Sequence, residues 1–209
     1  ELLMEGSNRI KTPGGHLWIP ALLMVLLFSC RGNDINTLKG KETPELVGIS
    51  YAKRLSIDHS NGYSHISVTG PWQGSEGVVQ DWYLLPRGTA VPDYIDSARV
   101  IRVPVEGVVC MSTTHISMIK ALDKASTIRG FSGSGFIFDE EVRKLAEMGG
   151  IRETGYENSL NKELIVSLHP DVVIAYGIGS ESAGYLGKLK EIGITVLFNA
   201  DYLEEDPLG

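Results

Sequence analysis

The chain has 209 residues, of which 43% are hydrophobic and 22% are charged, a composition typical of a folded globular protein and not of a disordered one. Its formal net charge is −7 and it contains no run of Lys and Arg, which argues against binding to nucleic acid. Two cysteines are too few for a framework of disulfide bonds.

The first 29 residues are typical of a bacterial export signal. Arg9 and Lys11 precede an apolar run over residues 17–28. This run has the length of the hydrophobic region of a signal peptide and is shorter than the roughly 20 apolar residues that span a bilayer. We therefore predict a signal peptide over residues 1–29, with a buried hydrophobic helix as the alternative.

A cysteine follows this run directly. Leu27-Phe28-Ser29-Cys30 resembles a bacterial lipobox, in which the cysteine is acylated and becomes the N-terminus after cleavage. Cys30 is thus the predicted lipidation site, and residues 30–52 are the predicted lipidated tether. We expect a periplasmic protein that is anchored by lipid to a membrane of the cell envelope.

Residues 53–98 have the period of two that marks half-buried antiparallel strands. Apolar and polar residues alternate over residues 55–59, and Asn61-Gly62 favours a tight hairpin turn. Residues 65–68 and 78–85 supply the next strands. The sequence predicts a small antiparallel β-meander.

From residue 99 to residue 203, short apolar segments alternate with helical patterns. Strands are predicted at residues 100–103, 127–131, 171–176 and 194–198, and helices are predicted to begin after residues 112–114, Asp139, Asn161 and Ser182. This alternation implies right-handed crossovers between parallel strands. The predicted fold class is α/β, with a three-layer lobe built on a mainly parallel, Rossmann-like sheet. Ligands of such sheets gather beyond the carboxyl ends of the strands.

No arrangement of residues indicates an enzyme. The five histidines lack the spacing of paired metal ligands, and Ser112 has no recognisable base and acid around it. Cys110 follows Val108 and Val109 and is typical of a small buried apolar residue. We expect no cofactor and no metal site. His115, at the ligand end of the sheet, is expected either to contact a ligand or to help a helix begin.

One loop is close to a dinucleotide-binding motif. Gly177-Ile178-Gly179-Ser180-Glu181-Ser182 follows a predicted strand, and Asp201 ends the next one. However, Ser182 replaces the third glycine, and Glu181 would place a negative charge beside a pyrophosphate. A nucleotide-dependent oxidoreductase built on Gly177–Ser182 remains an alternative function.

The order of several motifs after residue 99 is similar to that of a known family. These motifs are Val108-Val109-Cys110-Met111-Ser112-Thr113-Thr114-His115, Ile128-Arg129-Gly130-Phe131-Ser132, Asn161-Lys162-Glu163-Leu164-Ile165, Leu168-His169-Pro170-Asp171-Val172-Val173-Ile174, and residues 189–196. They resemble the N-terminal lobe of the class III, or helical-backbone, periplasmic substrate-binding proteins. Those proteins serve ABC importers of iron-siderophores, haem and cobalamin.

The resemblance implies a substrate-binding lipoprotein that captures ferric siderophore, haem or cobalamin and delivers it to an ABC permease without doing chemistry. In that family two α/β lobes are joined by one long helix, and the ligand lies in the cleft between them. Residues 99–203 would form the N-terminal lobe, and residues 204–209 would begin the linker helix. Because no second lobe follows in the sequence, we expect a truncated chain.

The resemblance also implies roles for individual residues. Glu163 matches a glutamate that forms salt bridges with arginines of the permease, although an acid at this position also favours the start of a helix. The expected ligand contacts follow the strands of the lobe, where they offer hydroxyl groups or aromatic faces. They are Ser112, Thr113, Phe131, Ser132, Tyr156 and Tyr176. Tyr156 replaces the usual Trp, which leaves cobalamin as the ligand in doubt. A surface lipoprotein used for adhesion or haem scavenging is a further alternative.

Overall fold

The first sheet is built from five short strands in sequence order. A computed structural model describes residues 45–46, 48–60, 62–155, 159–177, 184, 187–199 and 201–209. The strands are β1 (Glu45–Leu46), β2 (Leu55–Ser60), β3 (Tyr63–Thr69), β4 (Val79–Pro86) and β5 (Val100–Val103). The first four pair antiparallel, and β5 pairs parallel with β4.

The strand β5 belongs to a different sheet from the one that we predict from the sequence. The pattern predicted residues 100–103 as the first strand of the α/β lobe, whereas β5 is the edge strand of the first sheet. Ile101 explains this position, because it is 3% exposed and packs in the same core as Trp82 of β4. The predicted meander is therefore a mixed sheet with one parallel pair of strands.

The second sheet is entirely parallel. Its strands are β6 (Val108–Cys110), β7 (Ile128–Phe131), β8 (Arg152–Glu153), β9 (Val172–Ala175) and β10 (Val196–Phe198). They are arranged in the order β10-β9-β6-β7-β8. The central strands are almost wholly apolar, as expected for strands that are covered on both faces.

Three of the helices that connect these strands have both ends described, and each of the three begins at a side-chain cap. They are α1 (Thr113–Ala121), α2 (Glu140–Glu147) and α3 (Lys162–Ser167). The side chains of Ser112, Asp139 and Asn161 accept hydrogen bonds from the backbone N–H groups of Thr114, Val142 and Leu164. These are the helix starts that the sequence predicts. Residues 184 and 187–191 are also helical.

The parallel sheet separates two hydrophobic clusters, because neighbouring residues of a strand point to opposite faces. On one face, Cys110 packs with Ile116 of α1, Val142 of α2 and Trp82 of the first sheet. On the other face, Val109 and Val173 pack with Ile165 of α3 and with Leu189. Burial of each such aliphatic side chain contributes about 1.5–3 kcal/mol. The prediction of an α/β fold with three layers is confirmed.

Asp171 connects the two sheets at the amino end of β9. Its carboxylate accepts hydrogen bonds from the Arg87 guanidinium (2.6 Å) and from the backbone N–H groups of Glu106 (2.7 Å) and Gly107 (3.0 Å). Burial raises the pKa of Asp171, but these donors outweigh it and hold the pKa below its usual value. The Pro-Asp pair of the sequence therefore fastens the segment between β5 and β6 to β9.

The last described residues differ from the expectation. Residues 204–209 form bends and turns, where the sequence suggested the beginning of a linker helix. The Glu204 carboxylate accepts hydrogen bonds from the backbone N–H groups of Lys53 and Arg54, both at 2.9 Å. These contacts direct the segment along the first sheet.

Candidate functional site

All five strands of the second sheet run in one direction, so their carboxyl ends lie along one border. We call this border the carboxyl edge, and it is where open α/β sheets bind ligands. The described residues that follow the strands here are 111–112, 132–139, 154–155, 159–161, 176–177 and 199.

Ser112 and Thr113 lie where β6 leads into α1. The Ser112 Oγ accepts a hydrogen bond from the Thr114 backbone N–H at 3.3 Å and lies 2.9 Å from the Thr114 Oγ1. Ser112 and Thr113 are both half-buried. The Ser112 hydroxyl therefore caps a helix, and a contact of either residue with a ligand stays a prediction.

His115 lies inside the protein. Only 1% of its surface is exposed, and neither ring nitrogen has a hydrogen-bond partner among the described residues. Burial lowers the pKa of His115 to about 4, although the negative charge of Asp201 and the nearby backbone carbonyl of Ile174 act in the opposite direction. The imidazole is thus neutral at neutral pH and is too deeply buried in this structure to contact a ligand at the carboxyl edge.

Phe131 and Ser132 lie beneath the edge. They are 1% and 5% exposed. The Ser132 Oγ donates a hydrogen bond to the Gly155 carbonyl at 2.7 Å, and the Ser132 backbone N–H donates to the Cys110 carbonyl at 3.0 Å. Both side chains are buried in this structure and support the loops, and their contact with a ligand stays a prediction.

Close packing around Gly130 explains why the Ile-Arg-Gly-Phe-Ser motif has a glycine at this position. A Cβ atom at this position would lie 2.8 Å from the Thr154 Cγ2 and 2.9 Å from the Leu168 Cδ1. Separations this short force a neighbouring group to shift. The glycine therefore lets the residues after β8 and α3 pack directly on β7.

Glu153 organises two loops of the carboxyl edge. Its carboxylate accepts hydrogen bonds from the backbone N–H groups of Gly133 (3.0 Å), Ser134 (2.5 Å) and Gly155 (3.0 Å). Burial raises the pKa of Glu153, and these donors lower it by more, so that the pKa lies below its usual value. An ionised carboxylate thus joins the loop after β7 to the loop after β8.

Two phenylalanines of the loop after β7 extend into solvent. Phe136 is 66% exposed and Phe138 is 89% exposed. Exposed aromatic faces at a ligand-binding edge suit a flat or apolar ligand. Neither residue is among the sequence-predicted ligand contacts, and the available signal was their position in a Gly/Ser-rich loop outside the apolar period of α2.

The remaining aromatic candidates for ligand contact are Tyr176 and Tyr156. Tyr176 is half-buried and packs against the core cluster of Val173 and Leu189. Tyr156 lies outside the described residues, so its predicted contact with a ligand is neither supported nor opposed.

Gly177, the first glycine of the near-dinucleotide loop, is covered by another segment. A Cβ atom at Gly177 would lie 2.6 Å from the Trp72 Cβ. The Gly177 carbonyl accepts hydrogen bonds from the Tyr202 hydroxyl and from the Gln73 backbone N–H, the latter at 3.4 Å. Close packing against Trp72 therefore explains why this position is a glycine. Residues 178–182 of the loop lie outside the described residues.

Glu163 lies in the first turn of α3 and is exposed. Asn161 fixes this end of the helix, because its Oδ1 accepts from the Leu164 backbone N–H at 2.9 Å and its own backbone N–H donates to the Thr154 carbonyl at 2.8 Å. Since α3 begins after the loop that follows β8, Glu163 lies near the carboxyl edge.

The predicted signal peptide and Cys30 lie outside the described residues. None of the helices in the described part of the chain has the length and hydropathy that crossing a bilayer requires. Within the same part of the chain, no three His, Cys, Asp or Glu side chains are placed to hold a metal ion together.

Comparison with known proteins gives a relative of unknown function and several solved structures. No family model matches the chain. An uncharacterized lipoprotein of Methanocaldococcus jannaschii is 27% identical in an alignment of length 183 that covers 77% of this chain. The chain spans 43% of the length of that relative.

Solved structures that match include class III periplasmic binding proteins, and the two described below each match less than half of this chain. A vitamin B12-binding protein of Vibrio cholerae is 20% identical, covers 45% of this chain and 34% of its own, and has a TM-score of 0.33. An iron-uptake ABC transporter substrate-binding protein of Streptococcus pneumoniae is 28% identical, covers 46% and 32%, and has a TM-score of 0.35.

Proposed function

We propose that the chain is part of the substrate-binding lipoprotein of an ABC importer and contributes one α/β lobe to the capture of ferric siderophore, haem or cobalamin. In this role the protein does no chemistry. It holds the ligand at the carboxyl edge of the parallel sheet and presents it to the permease.

The observation that carries the proposal is the exposed carboxylate of Glu163 on the same border of the sheet as the loops that follow the strands. A ligand-delivering lobe needs both elements on one side, because the permease receives the ligand from the side that it binds. Asn161 and the bond to Thr154 hold the start of α3 in place, so the helical turn that carries Glu163 has a defined position. We infer that Glu163 pairs with a basic residue of the permease.

Phe136 and Phe138 favour a ligand with a large apolar or aromatic surface. Their side chains are 66% and 89% exposed in a loop that Glu153 holds in place. Haem, the corrin ring of cobalamin and catecholate siderophores all offer such a surface. We propose these two side chains, together with Tyr156 and Tyr176, as the aromatic contacts of the ligand.

The proposed location follows from Cys30 and from the relative. The lipobox-like Leu27-Phe28-Ser29-Cys30 predicts a lipid anchor, and the Methanocaldococcus jannaschii relative is described as a lipoprotein. A ligand-capturing protein outside the cytoplasm is retained near its permease by such an anchor. We therefore propose a periplasmic, membrane-anchored protein.

Ligand-dependent stabilisation tests this proposal. The melting temperature of the purified chain is measured with haem, a ferric catecholate siderophore, cobalamin and NAD, since a ligand that binds the folded state raises it. We expect one of the first three to stabilise the chain and NAD to have no effect. Stabilisation by NAD alone would contradict the importer role and favour the oxidoreductase alternative, which the packing of Trp72 on Gly177 disfavours.

A further inference from the structure

A cavity of about 480 Å³ lies between the two sheets, apart from the carboxyl edge. Its walls come from the start of β4, from the turn Ser97–Arg99 and from residues 190–195. Residues 193–195 precede β10 and therefore lie at the amino end of that strand. The cavity is thus distinct from the ligand site proposed at the carboxyl edge, and its own binding capacity is independent of the importer role.

Lys190 supplies a positive charge to this cavity. Its Nζ lies 5.7 Å from the centroid of the Trp82 ring and 5.6 Å from that of the Phe198 ring. The two rings belong to residues that are 5% and 2% exposed. Their faces attract the ammonium group but offer it no hydrogen-bond acceptor. Although Lys190 as a whole residue is exposed, partial burial of its ammonium group lowers its pKa.

The Lys190 ammonium has no counterion among the described residues. Lys53, Lys120 and Lys144 each have a carboxylate oxygen within 4 Å, whereas no described carboxylate lies within that distance of the Lys190 Nζ. A bound anion would give this ammonium group a counterion and a hydrogen-bond acceptor.

The two acids of the cavity already have partners. Arg99 lies 3.8 Å from Asp81 and 4.0 Å from Asp96. Asp81 also accepts a hydrogen bond from the Ser67 hydroxyl at 2.5 Å, and Asp96 accepts one from the Ala98 backbone N–H at 3.0 Å. The two carboxylates share the Arg99 guanidinium, and neither lies within 4 Å of the Lys190 Nζ, so Lys190 has no direct counterion in the described part of the cavity.

The walls of the cavity combine polar and apolar residues. Val78, Val79, Ala98 and Ile194 line the space, and Val79 is 51% exposed. A small inorganic anion would pair with the ammonium group and leave these walls in water. A carboxylate with an apolar body would satisfy both parts of the cavity.

We propose that this cavity binds a small organic monocarboxylate, with the carboxylate on Lys190 and the apolar body between Val79 and Ile194. The ion pair forms against two buried rings, where it is less screened than at an open surface. Trp82 and Phe198 position the ammonium group, and β4 and residues 193–195 hold the apolar body.

Titration of the ¹⁵N-labelled full chain with benzoate tests the proposal, and the uncharged analogue benzamide serves as the ligand control. We expect saturable shifts of the backbone signals of residues 78–82 and 193–195 and of the Trp82 indole N–H, assigned with the Trp82→Phe variant. Benzamide should bind at least about ten-fold more weakly, since it lacks the charge that Lys190 pairs with.

Lys190→Gln should weaken benzoate binding by about ten-fold or more, whereas Lys188→Gln, an exposed lysine of the same helical segment, should leave it unchanged. Absence of saturation with the folded wild-type chain would overturn the proposal. So would equal affinity for benzoate and benzamide, a result that needs no variant. Unchanged affinity of a folded Lys190→Gln protein would overturn it as well.

Discussion

Trp72 packs so closely on Gly177 that a Cβ atom at the glycine would lie 2.6 Å from the Cβ of the tryptophan. The loop between β3 and β4 thereby rests on the residue that comes after β9, and Trp72 also contacts Phe198, with 5.2 Å between the ring centroids. The first sheet is thus attached to the carboxyl ends of two strands of the second sheet.

Gly177→Ala should therefore destabilise the protein. The added methyl group has to displace Trp72, and overpacking of this kind costs about 1–3 kcal/mol. Urea unfolding measures the difference. Gly187→Ala is the matched control, because a Cβ atom there meets nothing within 4 Å and the helical position favours alanine by up to about 1 kcal/mol. Equal stability of the Gly177→Ala variant and the wild-type protein would show that Trp72 is not held as described.

Asp171→Ala should cost about 1–3 kcal/mol of folding free energy, because three donors from two other segments lose their acceptor. Chemical denaturation at neutral pH checks this value. Asp93→Ala, at an exposed position, should change the stability by less than about 0.5 kcal/mol. If both variants unfold at the same denaturant concentration, the proposed fastening of β9 to the segment before β6 is wrong.

The free energy of unfolding should decrease as the pH is lowered through a window that the pKa of His115 sets. Its pKa is lowered from 6.5 to about 4 in the folded protein, so acid protonates the unfolded chain first. His115 therefore destabilises the fold progressively as the pH falls from about 6.5 to about 4, with a slope of at most about 1.4 kcal/mol per pH unit. Thermal unfolding across this range measures the slope.

His115→Leu should reduce that slope and raise stability at the acid end, since the two unpartnered ring nitrogens are removed. His59→Gln, at an exposed position, is the control for a histidine that lies outside the core. A slope that the His115→Leu substitution leaves unaltered would mean that His115 does not stay neutral in the folded protein.

The helix starts could be predicted because a cap depends on residues that are adjacent in the chain. Each cap side chain accepts a hydrogen bond from a backbone N–H two or three residues later in the chain, at Ser112, Asp139 and Asn161. The local sequence is therefore enough to predict where each helix begins. The parallel strands β7, β9 and β10 were predictable for a similar reason, since their apolar runs mark burial on both faces.

Features that depend on residues far apart in the chain could not be predicted from the local sequence pattern. The strand β5 has a pattern that suits either sheet, and its pairing with β4 depends on Ile101 reaching the core of Trp82. Likewise, Phe131 and Phe138 are both aromatic residues near the end of β7, yet one is 1% and the other 89% exposed. Their difference arises from the path of the loop that Glu153 organises.

Glu163→Ala should slow transport and leave ligand binding intact. The substitution removes a carboxylate that is exposed and lies on the first turn of α3, at a cost to folding of about 0.3–1 kcal/mol from the helix dipole. Initial uptake rates in cells and ligand affinity in vitro separate the two effects. Glu191→Ala, an exposed acid at the amino side of β10, is the matched control. A loss of ligand affinity in the Glu163→Ala protein would refute the docking role.

Uptake by intact cells tests the proposed importer role most directly. Cells that express the protein and cells from which its gene has been deleted are supplied with radiolabelled haem, ferric siderophore or cobalamin, and the initial rate of accumulation is measured. We predict that deletion abolishes the uptake of one of these three ligands and that the wild-type gene restores it. Equal uptake of all three by both cell lines would contradict the importer role.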